Sequence, residues 1–183
     1  LCGKYKEEFI MFTVPKLTTR EITTLGLLVA LEIVLARFCS IQAWNLRIGF
    51  SFLPIAMASI RFGPIPAAMA ASAADILGAV LFPTTGAYFP GFTLTAFLTG
   101  VIFGLCLYRR QTAGHILAAV LLNQLGLSLL LNTTWLSIIY HSPFLPLMTT
   151  RIFQCAVLGP IQFIAIGTMV RLIGRYGKKV LTL

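Results

Sequence analysis

Six apolar stretches follow one another through almost the whole chain, and each ends at charged residues or at a cluster of glycine and proline. This repetition constrains the fold more than any motif. Hydrophobic residues make up 58% of the 183-residue sequence and charged ones 10%, against about 25% charged in an ordinary soluble domain. A soluble fold of this size has too little interior to hide so much apolar surface. A transmembrane helix needs about 20 apolar residues to cross ~30 Å of hydrocarbon. The pattern therefore predicts an all-α membrane protein with six transmembrane helices.

The expected helices are about 22–38, 48–62, 65–82, 94–108, 115–140 and 149–173. The first is announced by Thr18 and Glu21, spaced as a capping box. The second and third are short, which suggests tilting or cover from neighbours. Gly63, Pro64 and Pro66 mark the turn between them. Loops are expected at 39–46, at 83–93 and at "HSPFLP". Residues 1–19 form an N-terminal cytoplasmic segment, 20–175 the six-helix domain that binds the substrate, and 176–183 a basic tail. The opening "LCGKYKEEFI" is polar and lacks the pattern of a cleavable signal, and Met11 is a candidate natural start.

The net charge of +9 does not indicate nucleic acid, because the bases flank apolar segments rather than interleave with polar ones. With both termini cytoplasmic, 11 of the 14 Lys and Arg residues fall inside. The three exceptions are Arg37, Arg47 and Arg151. All lie at outer helix ends or outer loops. Arginine suits carboxylates because its planar fork donates two parallel hydrogen bonds. The alternative for each is snorkelling to lipid phosphate. Charges in a bilayer are costly and mark function, so three together point to a site for an anionic ligand.

Other residues extend that site. Gln42 and Trp44 share the stretch "ARFCSIQAWNLRIGFS" with Arg37 and Arg47. Tyr88, Phe89 and Phe92 lie in "PTTGAYFPGFT", where rings set among Gly and Pro suit stacking on a flat heterocycle and closing a lid. An interfacial aromatic belt is the competing account. Asp75, near mid-helix, either pairs with an arginine or accepts from ring N–H donors. Asn123, Gln124, Asn132 and Trp135 line the same cavity or make interhelical hydrogen bonds. Glu32 suggests an internal or partner-facing polar contact. Gly26 and Ala30 form a small-xxx-small pair on the first helix, which permits close approach of another helix.

No Walker A sequence, His-Glu-x-x-His or Gly-x-Ser-x-Gly is present. The four cysteines are scattered, with no metal or redox spacing, and neither metal nor cofactor is expected. A ligand pocket without an engine places the engine in another chain.

The blocks "LARFCSIQAWNLRIGFSFLPIAMA", "AADILGAVLFPTTGAYFPGFTLTAFLTGVIFG" and "LLLNTTWLSIIY" with "LMTTRIFQ" resemble the membrane-embedded substrate-binding (S) components of energy-coupling factor (ECF) transporters, and among them the folate-specific branch. The resemblance runs from about Arg20 to Arg175. It implies a six-helix S-component fold in the bacterial cell membrane, with a pocket near the outer face. It also implies high-affinity folate binding and release inward after docking on a membrane coupling subunit driven by two cytoplasmic ATPases. In this family an Ala-x-x-x-Ala surface on the first helix docks on the coupling subunit; Gly26 and Ala30 would correspond. The loops after the first and third helices gate the pocket, here about 39–46 and 83–91. Folate carries a flat pterin and a glutamate tail, which suit aromatic rings and arginines together. Alternatives are an S component for another vitamin, such as thiamine or riboflavin, a small intramembrane enzyme acting on lipid, and a partner subunit without a ligand.

Overall fold

The computed structural model describes residues 17–38, 40–43, 46–82, 89–108, 111–140 and 144–180. Five α-helices come first: α1 (Thr19–Arg37), α2 (Phe52–Phe62), α3 (Pro64–Leu81), α4 (Pro90–Leu107) and α5 (Ala113–Leu121). A π-helical segment, Leu122–Leu131, continues α5 and runs into α6 (Asn132–Tyr140), so these three pieces form one rod. A long last helix, α7 (Phe144–Val180), follows. Six helical rods result, as the sequence predicts. Among the described residues, four segments are long and apolar enough to cross a membrane: Pro64–Leu81, Pro90–Leu107, Ala113–Ile139 and Arg151–Arg175.

Each start has a local cause. The Glu21 carboxylate accepts from the Thr18 backbone N–H at 2.8 Å and from the Thr18 hydroxyl at 2.9 Å, forming the expected box at the head of α1. α3 and α4 open on Pro64 and Pro90, where a missing N–H costs nothing and φ is already helical. Gly63 turns the chain between α2 and α3 at φ +88°, a left-handed value that favours glycine.

The largest differences from the sequence reading lie at four boundaries, one of them the end of the last helix, at Val180 rather than near Ile173. The second helix starts at Phe52 rather than near Ile48, because Leu46–Ile48 (β2) pairs antiparallel with Ile41–Ala43 (β1). The predicted loop is thus partly a hairpin, with Gln42 opposite Arg47 in register. The fourth helix starts at Pro90 instead of Leu94. The sixth starts at Phe144, so "HSPFLP" is helical from its fourth residue, with Pro146 in the first turn, where proline is tolerated.

The tightest helix pair is α3 with α4, and glycine makes it possible. A Cβ on Gly100 would stand 2.5 Å from the Ala68 Cα, and one on Gly104 would meet Pro64. With Ala67, Ala68 and Ala71 fully buried, backbone meets backbone, the small-residue packing favoured in membranes. Eleven-residue α2, about 17 Å long, is too short to cross the hydrocarbon and is mostly buried against α3 and α4. The buried Ser59 hydroxyl donates to the Gly100 carbonyl. Phe52, Ile55, Phe103, Leu107, Val120 and Ile166 join α2, α4, α5 and α7 in one core. Outside it, Leu27, Val80, Phe153 and Ile164 are about two-thirds exposed. Apolar side chains facing outward on every rod fit a hydrocarbon solvent.

Candidate functional site

The end of the bundle where α1 and α3 finish and α4 begins collects the chemistry. Arg37, the last residue of α1, lies over α3 at Gly78: a Cβ there would stand 3.2 Å from its Nε. Glycine at 78 thus gives the guanidinium its seat. One residue on, Phe38 meets Phe82 edge-to-face at 5.5 Å, fastening the ends of α1 and α3 together.

Three residues before Gly78, Asp75 accepts a 2.7 Å hydrogen bond from the Thr93 hydroxyl of α4. The sequence reading offered Asp75 an arginine or a ligand N–H; the partner it has among the described residues is this threonine. The threonine satisfies one lone pair, and a carboxylate has capacity for more donors.

At the head of α4, Phe89 packs on Trp135 of α6, with ring centroids 5.5 Å apart and planes inclined by 54°, and on Phe92 at 6.1 Å. Gly91 lies between them: a Cβ there would stand 2.7 Å from Trp135 Cδ2 and would also meet Phe89. The Trp135 indole N–H donates to the Thr95 hydroxyl at 3.2 Å, which donates to the Gly91 carbonyl at 3.0 Å. One turn further, the Thr99 hydroxyl reaches the Thr95 carbonyl and, at 3.2 Å, Asn123 Oδ1. A threonine ladder on α4 therefore holds the π-helical segment and α6 against the site. Asn123 and Trp135 were expected either to line a cavity or to bond between helices; both make interhelical hydrogen bonds.

Arg151 is 8% exposed near the start of the span in α7, and its Nε has no hydrogen-bond partner among the described residues. The same holds for Asn132 Oδ1, Thr133 Oγ1 and Gln124 Nε2. Buried polar atoms are nearly always paired, so each of these atoms calls for a partner that the described residues do not supply. β2, which carries Arg47, packs against α7.

The candidates thus divide. Arg37, Asp75, Phe89 and Trp135 stand on the joined ends of α1, α3, α4 and α6. Arg151 and Asn132 hold buried polar atoms on α7 and α6. Gln42 and Arg47 face each other in the hairpin backbone. Trp44 and Tyr88 lie outside the described residues. Glu32 is buried, the internal placement of the two that were open. Sequence reasoning missed Thr93, Thr95 and Thr99. For Thr95 and Thr99 the signal was the i, i+4 spacing of hydroxyls along an otherwise apolar helix. Gly78 and Gly91, which admit the larger side chains, carried no signal at all.

Gly26 and Ala30 lie on an exposed face of α1 with Leu27, and a Cβ on Gly26 would have open space within 4 Å. No group of His, Cys, Asp or Glu among the described residues has the arrangement of a metal site.

Residues 20–174 match the family of ECF transporter substrate-specific components. The chain belongs to that family. As an S component it is a transport subunit and a multi-pass protein of the bacterial cell membrane. It is 41% identical over 143 residues to the folate transporter FolT of Clostridium novyi (strain NT), covering 78% of this chain and 83% of the relative. It is 31% identical over 155 residues to FolT of Leuconostoc mesenteroides subsp. mesenteroides, covering 81% and 83%. A crystal structure of FolT bound with folic acid superposes with a TM-score of 0.78 at 35% identity, covering 81% of this chain and 91% of that one. The S-component fold expected from the sequence is therefore present.

Proposed function

We propose that the chain is the folate-binding subunit of an ECF-type importer. It binds folate at the outer face and releases it inward after docking on a separate, ATP-driven coupling module. The observation that carries this reading is the likeness to FolT in both sequence and structure, including a FolT structure with folic acid bound. The joined ends of α1, α3, α4 and α6 support it with suitable chemistry.

In this reading Arg37, Arg47 and Arg151 take the ligand's carboxylates. The Arg151 and Asn132 atoms that lack hydrogen-bond partners among the described residues gain them on binding. Trp44, Tyr88 and Phe89 stack on the flat rings and close over them, with Trp135 as the floor beneath Phe89. Asp75 or Asn132 accepts from the pterin N–H groups, and Gln42 contributes from the hairpin. Both termini are cytoplasmic, which puts 11 of 14 bases inside and these three arginines out.

The exposed Gly26–Ala30 face of α1 is the docking surface for the coupling subunit, whose two cytoplasmic ATPases supply the energy. Small residues there leave backbone within reach of a partner helix.

The deciding experiment is tryptophan fluorescence of the purified chain titrated with folate, with thiamine and riboflavin as controls. Saturable quenching by folate alone, corrected for its own absorbance, is expected. A response to another vitamin but not to folate would keep the fold and replace the ligand.

A further inference from the structure

Trp135 meets α4 through one hydroxyl and one glycine. Its indole N–H donates to the Thr95 hydroxyl at 3.2 Å. Gly91, one turn earlier, lies against the fused bond of the ring: a Cβ there would stand 2.7 Å from Trp135 Cδ2 and 2.8 Å from Cε2. Phe89 packs on the same indole, with 5.5 Å between ring centroids.

The protons at this junction have one arrangement. An indole nitrogen only donates. The Thr95 hydroxyl has a single proton, and it goes to the Gly91 carbonyl at 3.0 Å. The hydroxyl oxygen is thereby left as the acceptor that Trp135 needs. The order Trp135 to Thr95 to Gly91 cannot reverse, because neither end can change its role. Thr95 is 6% exposed and has no proton left for a ligand.

The same bond decides which way the ring faces. The outer torsion of a tryptophan side chain is broad and roughly two-fold, so a ring turned over about its Cβ–Cγ bond is a competing state. Turning it over takes the N–H away from Thr95 and brings a carbon edge in its place. The half-buried N–H then loses its partner, at the cost of a hydrogen bond.

We propose that Thr95 is a positioning residue of the folate site: it holds the Trp135 indole in one of its two ring orientations before the ligand arrives. The inference rests on the reading that Trp135 floors a folate site. Thr95 acts through the indole and not on the ligand. A floor set in advance strengthens binding, because the ring is not ordered at the ligand's expense.

The test is folate calorimetry on the full chain in detergent, with near-UV circular dichroism of the apo protein. Thr95→Val keeps the branched shape and removes the acceptor. It should weaken folate binding by about five-fold or more, the worth of one hydrogen bond. Thr95→Ser restores the hydroxyl and should bring affinity back to within about two-fold of wild type. In a Trp135→Phe background there is no N–H to hold, and Thr95→Val should change affinity by less than about two-fold. The apo tryptophan bands should change in Thr95→Val and not in Thr95→Ser. Thr168→Val removes the same kind of bond, Thr168 hydroxyl to Ile164 carbonyl at 2.7 Å, from an exposed face, and should leave both readouts like wild type. An equal loss from Thr95→Val with and without the indole would overturn the proposal and make Thr95 purely structural. So would unaltered tryptophan bands in Thr95→Val. If Trp135→Phe binds too weakly to titrate, the contrast between Val and Ser decides, together with the apo bands. A wild-type chain that binds no folate would sink the folate reading and this inference with it, and the first titration shows that before any variant is made.

Discussion

Trp135 and Phe89 hold each other across the mouth of the bundle: their ring centroids are 5.5 Å apart, and Gly91 is what lets them meet. The pair ties the head of α4 to α6, so the segment entering α4 and the rod leaving the π segment share one contact.

Gly91→Ala should disturb this contact directly. Its Cβ would stand 2.7 Å from Trp135 Cδ2 and against Phe89, and overpacking of this kind costs about 1–3 kcal/mol. A lower unfolding temperature in detergent and weaker folate binding are expected, with a changed Trp emission in the apo protein. Emission and affinity both like wild type would mean that the rings move aside freely.

Thr93→Val removes the hydroxyl that donates to Asp75 at 2.7 Å. A hydrogen bond to a charged group contributes about 1.5–3 kcal/mol. The variant should lower stability by part of that amount. If Asp75 also reads the pterin edge, Asp75→Asn should weaken folate binding more than Thr93→Val does. Equal effects would confine Asp75 to a structural role.

Arg37→Ala should weaken folate binding by about 2–5 kcal/mol, the range for truncating one member of a desolvated charge pair. The loss should shrink for pteroate, the analogue without the glutamate tail. Calorimetry with both ligands separates the cases. An equal loss for the two would move Arg37 from the tail to the rings.

Gly26→Trp should leave folate binding intact and abolish uptake in cells that carry the coupling module. A Cβ at 26 would meet nothing within 4 Å, so the added side chain starts into open space. Loss of binding together with uptake would point to misfolding instead.

The six rods were legible because hydrocarbon imposes one rule on every span, and composition alone carries it. The starts of α4 and α7 were less so. Pro90 reads as a breaker in sequence but acts as a first helical residue, and the same ambiguity hid the start of α7 at Phe144. The hairpin at 41–48 escaped notice because two three-residue strands have no period to detect. Within the candidate site, the charged and aromatic residues stood out against an apolar background, which is why Arg37, Asp75 and Phe89 were named as candidates. The threonines did not, since a hydroxyl in a membrane helix can satisfy itself on the carbonyl one turn back, as Thr134 and Thr168 do. Only the fold distinguishes those from Thr93 and Thr95, which reach or receive another helix.

The π-helical run has a mechanical meaning. Most π geometry occurs as a single-turn bulge, but here it fills the ten residues between α5, locked into the core by Ile116, Ala119 and Val120, and α6, which bears Asn132 and Trp135. A widened helix with i→i+5 bonding is a compliant coupling between two stiff shafts. Sliding its bonding register by one residue would turn α6 about its axis while α5 stayed fixed. That turn would carry fully buried Thr133 with it and break the Trp135–Thr95 bond, so the register of the π segment and the aim of the mouth are set together.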